Sequence, residues 1–215
     1  MFISRVLVDQ NNRQKLKSLT HLGAYHHWVE QSFPEEVKSG ERLRHLWRLD
    51  SLGGQEYLLV VSENRPDLDQ LAAFGVPGTA EVKDYEPFLA SLHDGQRLRF
   101  RLTANPTYSV SQSGKARGRV YPHVTAEQQS QWLSARAEKA GFTLSTAGET
   151  PSFTIVGRSY PILRRKQGRA VRISRVTYEG RLTVTDIAQF QQTLRSGIGR
   201  ERAYGMGMMT VIPEA

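Results

Sequence analysis

The chain has 215 residues, of which 39% are hydrophobic and 9% aromatic, a composition typical of a folded protein with one large domain or two small ones. The formal net charge is +8, from 29 lysines and arginines against 21 aspartates and glutamates, and favours a phosphate-rich partner such as nucleic acid. The absence of cysteine excludes disulfides, cysteine zinc sites and thiol catalysis.

The sequence carries no membrane-spanning signal. No apolar run approaches the ~18 residues that would cross a bilayer. The N-terminus also lacks a charged segment followed by an apolar stretch and a small-residue cleavage site. We therefore expect a cytoplasmic protein with no membrane partner.

Hydrophobic periodicity in the first half predicts elements in the order β-α-β-β-α-β. The strand at 43–49 is expected to be half-buried, with His45, Trp47 and Leu49 on one face. Pro34 closes the first helix, and Pro66 opens the second. The predicted segments are a strand at 2–8, a helix at 24–33, strands at 43–49 and 56–62, a short helix from 66, and a strand at 80–85.

The second half repeats this order. It has a clear alternating strand at 96–103, and Thr125 with Gln128 forms a capping box for a helix that ends at Gly141. Strands follow at 153–163 and 171–184, then a helix between Asp186 and Gly197, and a last strand at 206–212. The fold class is therefore α+β, with two tandem ferredoxin-like (RRM-like) domains at 1–92 and 93–215.

Glycines and arginines alternate near the C-terminus, at Gly197, Gly199, Arg200, Arg202, Gly205 and Gly207. Such glycines let the backbone approach a phosphate chain, and the arginines would neutralise its charge. The alternative interpretation is a helix C-cap followed by a turn into the last strand. A P-loop is excluded because its closing lysine and serine or threonine are absent.

Two adjacent histidines lie on the first predicted helix. The helical repeat places His26 at the edge of the apolar face of Tyr25 and Val29, and His27 on the opposite, solvated side. A histidine at such an edge is held in place yet accessible, which suits proton transfer. The alternative is that both are ordinary surface histidines. A metal site is disfavoured because no carboxylate or further histidine completes a known ligand spacing with His21.

Basic residues concentrate in the second half, where they would suit the backbone of an RNA duplex, although charge runs usually mark only a solvated face. They lie on a predicted hairpin and in a loop, at Arg164, Arg165, Lys166, Arg169, Arg172 and Arg175, and at Lys115, Arg117 and Arg119.

Several short passages, in this order and spacing, resemble the CasE-type CRISPR-associated endoribonucleases of type I-E systems, within the repeat-associated RAMP superfamily. They are spread over most of the chain and comprise residues 1–6, 25–34, 46–49, 95–102, 104–106 and 179–182 and the terminal glycine loop.

The resemblance implies a tandem ferredoxin-like enzyme that cuts CRISPR repeat hairpins in a precursor guide RNA. It also implies that the protein stays bound to the mature guide RNA, beside other subunits of the Cascade complex. The family's catalytic histidine lies seven residues before a Phe-Pro, the separation between His26 and Phe33. The tyrosine that some members place three residues earlier corresponds to Gly23, and Tyr25, adjacent to His26, is the second catalytic candidate, with burial in the core as its alternative.

RNA carries its own nucleophile, the 2′-hydroxyl, so the implied mechanism requires no metal or other cofactor. The expected products are a 2′,3′-cyclic phosphate and a 5′-hydroxyl. The first alternative is a non-catalytic RNA-binding scaffold of the same complexes, which would have no chemical need for His26. The second is a ferredoxin-like module that binds a small molecule or ion, which the charge of +8 disfavours.

Overall fold

The computed structural model describes residues 1–41, 43–114, 118–144, 146–147, 150–163 and 171–214. The elements of the N-terminal half are β1 (Phe2–Leu7), α1 (Arg13–Ser18), α2 (Leu22–Gln31), α3 (Pro34–Ser39), β2 (Leu46–Leu52), β3 (Gln55–Ser62), α4 (Leu68–Leu71), β4 (Glu81–Asp84) and α5 (Glu86–Ala90).

The four strands of this half form an antiparallel sheet in the order β2-β3-β1-β4. Helices α2 and α4 follow β1 and β3 and pack on one face of the sheet. Trp28 and Val29 of α2 and Leu71 of α4 share a buried cluster with Val6 and Val60 of the strands. This connectivity is the ferredoxin-like arrangement.

The C-terminal half repeats it with more strands. Its elements are β5 (Arg97–Ala104), β6 (Thr107–Val110), β7 (Arg119–Pro122), α6 (Ala126–Ala137), β8 (Phe142–Thr143), β9 (Thr146–Ala147), β10 (Thr150–Pro151), β11 (Phe153–Ser159), β12 (Ile162–Leu163), β13 (Val171–Arg172), β14 (Arg175–Val184), α7 (Ile187–Ser196) and β15 (Met209–Pro213), with short 3-10 helices at Glu138–Ala140 and Arg202–Tyr204.

The main sheet of this half has the order β11-β14-β5-β15, with β8 added beside β14. Leu98, Phe100 and Leu102 of β5 are buried as their alternation predicts, against a cluster that includes Trp132 of α6 and Phe190 of α7. Among the described residues, three small hairpins lie outside the main sheet: β6–β7, β9–β10 and β12–β13. The predicted pair of ferredoxin-like units is confirmed.

The strands predicted at 153–163 and 171–184 are each divided in two, and strand β2 differs from its prediction in its burial. Leu46 and Arg48 were expected on the solvated face of a half-buried strand, and that prediction is wrong: both are buried, as are their neighbours Trp47 and Asp50. Strand β2 is an edge of its own sheet and is covered on the second side by the C-terminal half. Pro34 also does more than end a helix, since it occupies the first turn of α3.

The two halves share one hydrophobic cluster. Leu46 and Val61 of the N-terminal sheet belong to it, together with Leu89 of α5 and Leu98 of β5. Because this cluster is continuous across the connection between β4 and β5, the domain boundary at residues 92 and 93 stays a prediction.

The guanidinium of Arg48 is the main polar link between the halves. It is 1% exposed and forms a bidentate pair with Asp50, with distances of 2.7 and 2.6 Å. It also donates to the carbonyl oxygens of Arg101 and Met208, at 2.9 and 3.1 Å, and to the hydroxyl of Thr210, at 2.7 Å. Arg101 in turn donates to Asp50 at 3.1 Å. A charge buried this deeply is tolerated because each of its donors has a partner.

A second link lies at Glu86 on α5. Its carboxylate accepts two hydrogen bonds from Arg195 of α7, at 2.6 and 2.9 Å, and lies 3.1 Å from the N-terminal amine of Met1. The hydrogen bond from Arg195 is the main reason why the pKa of Glu86 falls to about 2. The start of β1 is thereby tied to the last helix.

Within the described part of the chain, none of the helices is both long enough and apolar enough to cross a membrane.

Replacing Arg48 with leucine leaves the buried carboxylate of Asp50 without its main partner. We expect a loss of about 3–5 kcal/mol in the free energy of unfolding, measured by urea denaturation. The matched control is Arg5→Leu, because Arg5 forms an exposed pair with Glu81 and its loss should change stability little. Equal effects of the two substitutions would contradict the role given to Arg48.

Candidate active site

A cleft of about 630 Å³ lies between three segments: α2, the segment that leads into β2, and the glycine-rich loop before β15 (residues 197–207). Both halves of the chain therefore contribute to it. Among the described residues, those that line it are His26 and Glu30 of α2, Leu43, Arg44 and His45 of the following segment, and 199–204 of the loop.

His26 lines this cleft from the middle of α2. Its side chain is 30% exposed, and its ring meets the ring of Tyr204 edge-on, with centroids 5.4 Å apart. His27 is exposed and is not among the described residues that line the cleft. His21 caps the start of α2, and its Nδ1 accepts a hydrogen bond from the backbone N–H of Ala24. The helical spacing thus places the two histidines as the sequence predicts.

Tyr25 is directed elsewhere. Its ring stacks on Trp47, with centroids 5.8 Å apart, and lies near Trp28. Burial raises the pKa of its hydroxyl to about 12, with the charge of Glu56 adding to the effect. Tyr25 is therefore neutral at physiological pH, and it is not among the described residues that line the cleft.

The glycine loop is held against two tryptophans. The indole N–H of Trp47 donates to the carbonyl oxygen of Ala203 at 2.9 Å. At Gly205, a Cβ would lie 2.6 Å from the ring of Trp47, and at Gly199 it would lie 2.9 Å from the ring of Trp132. Both glycines also have positive φ. Glycine is thus required at these two positions because the loop packs closely against the protein's own tryptophan rings.

Gly197 and Gly207 close the two ends of the same loop. Gly197 follows the last residue of α7 with φ +74°. The backbone N–H of Ile198 donates to Gly207 at 2.9 Å, and the N–H of Gly207 donates to Thr103 of β5 at 2.6 Å. This fixes the loop to the C-terminal sheet, so that its other face is presented to α2.

Arginines give the cleft a positive charge. Arg202 is half-buried and donates to the carbonyl oxygen of Gly199 at 2.9 Å. Burial, and then the positive charge of Arg44 nearby, lower the pKa of Arg202 below its usual value. Arg200 is exposed and donates to Ser109 of β6 at 3.2 Å. The mutual repulsion of Arg44 and Arg202 would be relieved by an anion bound between them.

Carboxylates and a second imidazole lie behind His26. Glu30 Oε1 is 3.8 Å from His26 Nδ1 and 3.0 Å from His45 Nδ1. His45 is buried, and its other ring nitrogen lies 3.1 Å from Glu36 Oε2, a distance typical of an ion pair but without hydrogen-bond alignment. No group of three or more histidines and carboxylates able to hold a metal ion is found in the described ranges.

The other predicted RNA-binding residues are dispersed. Arg119 and Arg172 are exposed and lie over the rings of Tyr121 and Tyr160. Arg175 is half-buried, and its pKa is lowered by burial. None of these three is among the described residues lining the cleft. Those that fall outside the described residues are Lys115, Arg117, Arg164, Arg165, Lys166 and Arg169.

Sequence reasoning missed seven of the described residues that line the cleft: Glu30, Leu43, Arg44, His45, Glu201, Ala203 and Tyr204. Glu30 had a detectable signal, because it lies one helical turn after His26. Arg44 and His45 had none, because their position depends on how β2 docks against the C-terminal half.

Comparison with known proteins gives one consistent family. The model of a family described as "CRISPR associated protein" matches residues 1–213. A curated relative, the CRISPR-associated endoribonuclease Cse3 of Thermus thermophilus, is 32% identical over 99% of this chain and 100% of its own length.

Solved structures agree with it. The chain superposes with a TM-score of 0.82 on Cse3 bound to a 19-nucleotide RNA, at 30% identity over 99% of this chain and 100% of the other. It superposes with a TM-score of 0.79 on Thermus thermophilus Cse3 bound to an RNA that represents a pre-cleavage complex, at 28% identity over 99% and 98%.

The packing of the loop on Trp47 predicts a difference between two glycines of positive φ. Gly205→Ala should lower the free energy of unfolding by about 1–3 kcal/mol more than Gly53→Ala. A Cβ at Gly53, in the β2–β3 turn, would meet nothing within 4 Å, so only the backbone strain applies there. Urea denaturation of both variants measures the difference, and equal losses would contradict the close approach to Trp47.

Proposed function

Since this chain belongs to the CRISPR-associated protein family, we propose that it is a metal-independent endoribonuclease that cleaves CRISPR repeat hairpins in precursor guide RNA. The observation that carries the proposal is the cleft itself, because His26, Arg44 and Arg202 all line the same space of about 630 Å³. An accessible imidazole beside two guanidinium groups can move a proton at a phosphate and stabilise the charge that develops on it.

The reaction follows from groups that are already available. The 2′-oxygen of the RNA attacks the adjacent phosphorus, the bond from phosphorus to the 5′-oxygen breaks, and a 2′,3′-cyclic phosphate forms. The 2′-hydroxyl loses its proton, and the departing 5′-oxygen gains one. His26 performs one of these two transfers, while Arg44 and Arg202 offset the growing negative charge of the phosphate.

RNA binding beyond the cleft would use positive charge outside it. Arg200 connects the glycine loop to the β6–β7 hairpin, on which Arg119 is exposed. A duplex placed along this side would be recognised by its shape and phosphates more than by its bases. We also propose that the protein keeps the mature guide RNA after cutting, works in the cytoplasm and associates with other Cascade subunits.

A non-catalytic RNA-binding scaffold is the second candidate. The same arginines would serve it equally well. What favours the enzyme is the partly exposed His26 in the same cleft as Arg44 and Arg202, together with full-length similarity to a relative named as an endoribonuclease.

Cleavage of a labelled repeat-hairpin RNA in EDTA tests the assignment of His26. His26→Ala should reduce single-turnover cleavage by at least ~100-fold, since it removes the proton-transfer group, and should retain hairpin binding. His27→Ala is the matched control and should cut like the wild type, because its side chain is exposed and outside the cleft. Normal cutting by His26→Ala would place the catalytic group elsewhere, and binding without cutting by every protein would favour the scaffold.

A second experiment tests the charge pair. Arg44→Ala should slow single-turnover cleavage by about 10- to 100-fold, because one of the two guanidinium groups at the phosphate is lost. Arg13→Ala, on the exposed surface of α1, is the control and should leave the rate unchanged. If both substitutions have the same small effect, Arg44 contributes only to the general positive field.

A further inference from the structure

The carboxylate of Glu30 lies between two imidazoles. Glu30 follows His26 by four residues on α2, so the two side chains lie on the same face of the helix. Glu30 Oε1 is 3.8 Å from His26 Nδ1 and 3.0 Å from His45 Nδ1. Because Nδ1 of His26 faces this carboxylate, Nε2 on the other side of the ring is the nitrogen suited to meet the substrate.

His45 is held rigidly behind the carboxylate. Its side chain is 2% exposed, and its ring stacks on Phe33 with centroids 3.8 Å apart and planes within 5°. Its Nε2 faces Glu36, which itself accepts a hydrogen bond of 2.9 Å from Asn64. A continuous row of polar groups thus runs from Asn64 to His26.

The burial of this row of polar groups has a free-energy cost that a functional role would explain. Removing carboxylates and an imidazole from water costs free energy, and apolar residues of similar volume would fill the same space at lower cost. The row also ends at the single imidazole that the proposed chemistry uses. Its arrangement resembles the general device in which a carboxylate orients a catalytic histidine and stabilises its charged form.

We propose that Glu30 is a positioning residue for His26, and that His45 holds the carboxylate of Glu30 in place. The inference rests on the proposed function, because it assumes that His26 transfers the proton. The carboxylate favours the tautomer with hydrogen on Nδ1, directs Nε2 into the cleft, and stabilises the imidazolium.

Other charged and titratable groups line the same cleft as His26, and they set the electrostatic background against which Glu30 acts. A positive charge in this cleft disfavours the imidazolium and a negative charge favours it, so the arginines oppose Glu201 in this respect. The groups concerned are Arg44 and His45 before β2, and Arg200, Glu201, Arg202 and Tyr204 of the loop, of which Tyr204 contacts the ring of His26. Removing the charge of Glu30 alone shifts this balance toward neutral imidazole.

The test is the pH dependence of single-turnover cleavage by Glu30→Gln. The limb of the profile that reports His26 should move to lower pH by about one unit, because a carboxylate within ~4–6 Å favours the charged imidazole. The rate at the optimum should fall by about 10-fold or more. Affinity for the uncut hairpin should stay within about 2-fold, since Glu30 is not a cation that binds phosphate.

Two further variants separate positioning from a structural role. Glu30→Asp keeps the charge at a shorter reach, so its pH limb should stay near that of the wild type. Glu35→Gln removes an exposed glutamate of α3 that pairs with Lys38, and should change neither rate nor profile. An unshifted limb and a normal rate in Glu30→Gln would overturn the inference, as would a rate loss fully matched by loss of folded protein.

The outcome is also distinguishable from failure of the proposed function. If His26→Ala is inactive while Glu30→Gln keeps the wild-type profile, only the positioning role is wrong. If His26→Ala cuts normally, the proposed function of the cleft fails, and with it the inference.

Discussion

The buried guanidinium of Arg48 fixes the geometry on which the candidate site depends. The side chain extends from β2, an edge strand of the N-terminal sheet, and donates hydrogen bonds to Arg101, Met208 and Thr210 of the C-terminal half. Such bonds are directional, so they set the register of β2 against the opposite sheet as well as its distance. Hydrophobic contacts around Leu46 and Val61 bring the halves together but are not directional. A cleft built from both halves depends on these directional hydrogen bonds, since displacements of ~1 Å are enough to impair catalysis.

Trp47, the neighbour of Arg48 on β2, connects this strand to the glycine-rich loop. It bonds to Ala203, excludes a side chain at Gly205 and stacks on Tyr25 of α2, so one residue contacts both walls of the cleft. The glycines therefore serve first to let the loop lie flat on aromatic rings. Under the proposed function, the neighbouring Arg200 and Arg202 would neutralise the phosphate. The interpretation as a helix C-cap is observed at Gly197, whereas the phosphate-binding interpretation stays a prediction.

Elements with local signals were predictable, and contacts between the halves were not. The order of strands and helices, the Thr125 capping box and the different environments of His26 and His27 follow from period and capping residues within a few positions. The burial of both faces of β2 was missed, because its second partner lies about fifty residues away in the sequence, at Arg101. Arg44 and His45 were not predicted as site residues for the same reason, since their location depends on how β2 docks against the C-terminal half and on no local pattern.

Under the proposed function, this cleft cuts RNA through the substrate's own 2′-hydroxyl. The most direct measurement replaces that hydroxyl with hydrogen at the nucleotide 5′ to the cut in an otherwise intact repeat hairpin, and compares binding and cleavage with the all-ribose RNA. The account predicts equal binding, no cleavage of the deoxy substrate, and a 2′,3′-cyclic phosphate on the product of the all-ribose RNA. Cleavage of the deoxy substrate at a comparable rate would contradict it, because the nucleophile would then be water or a group of the protein.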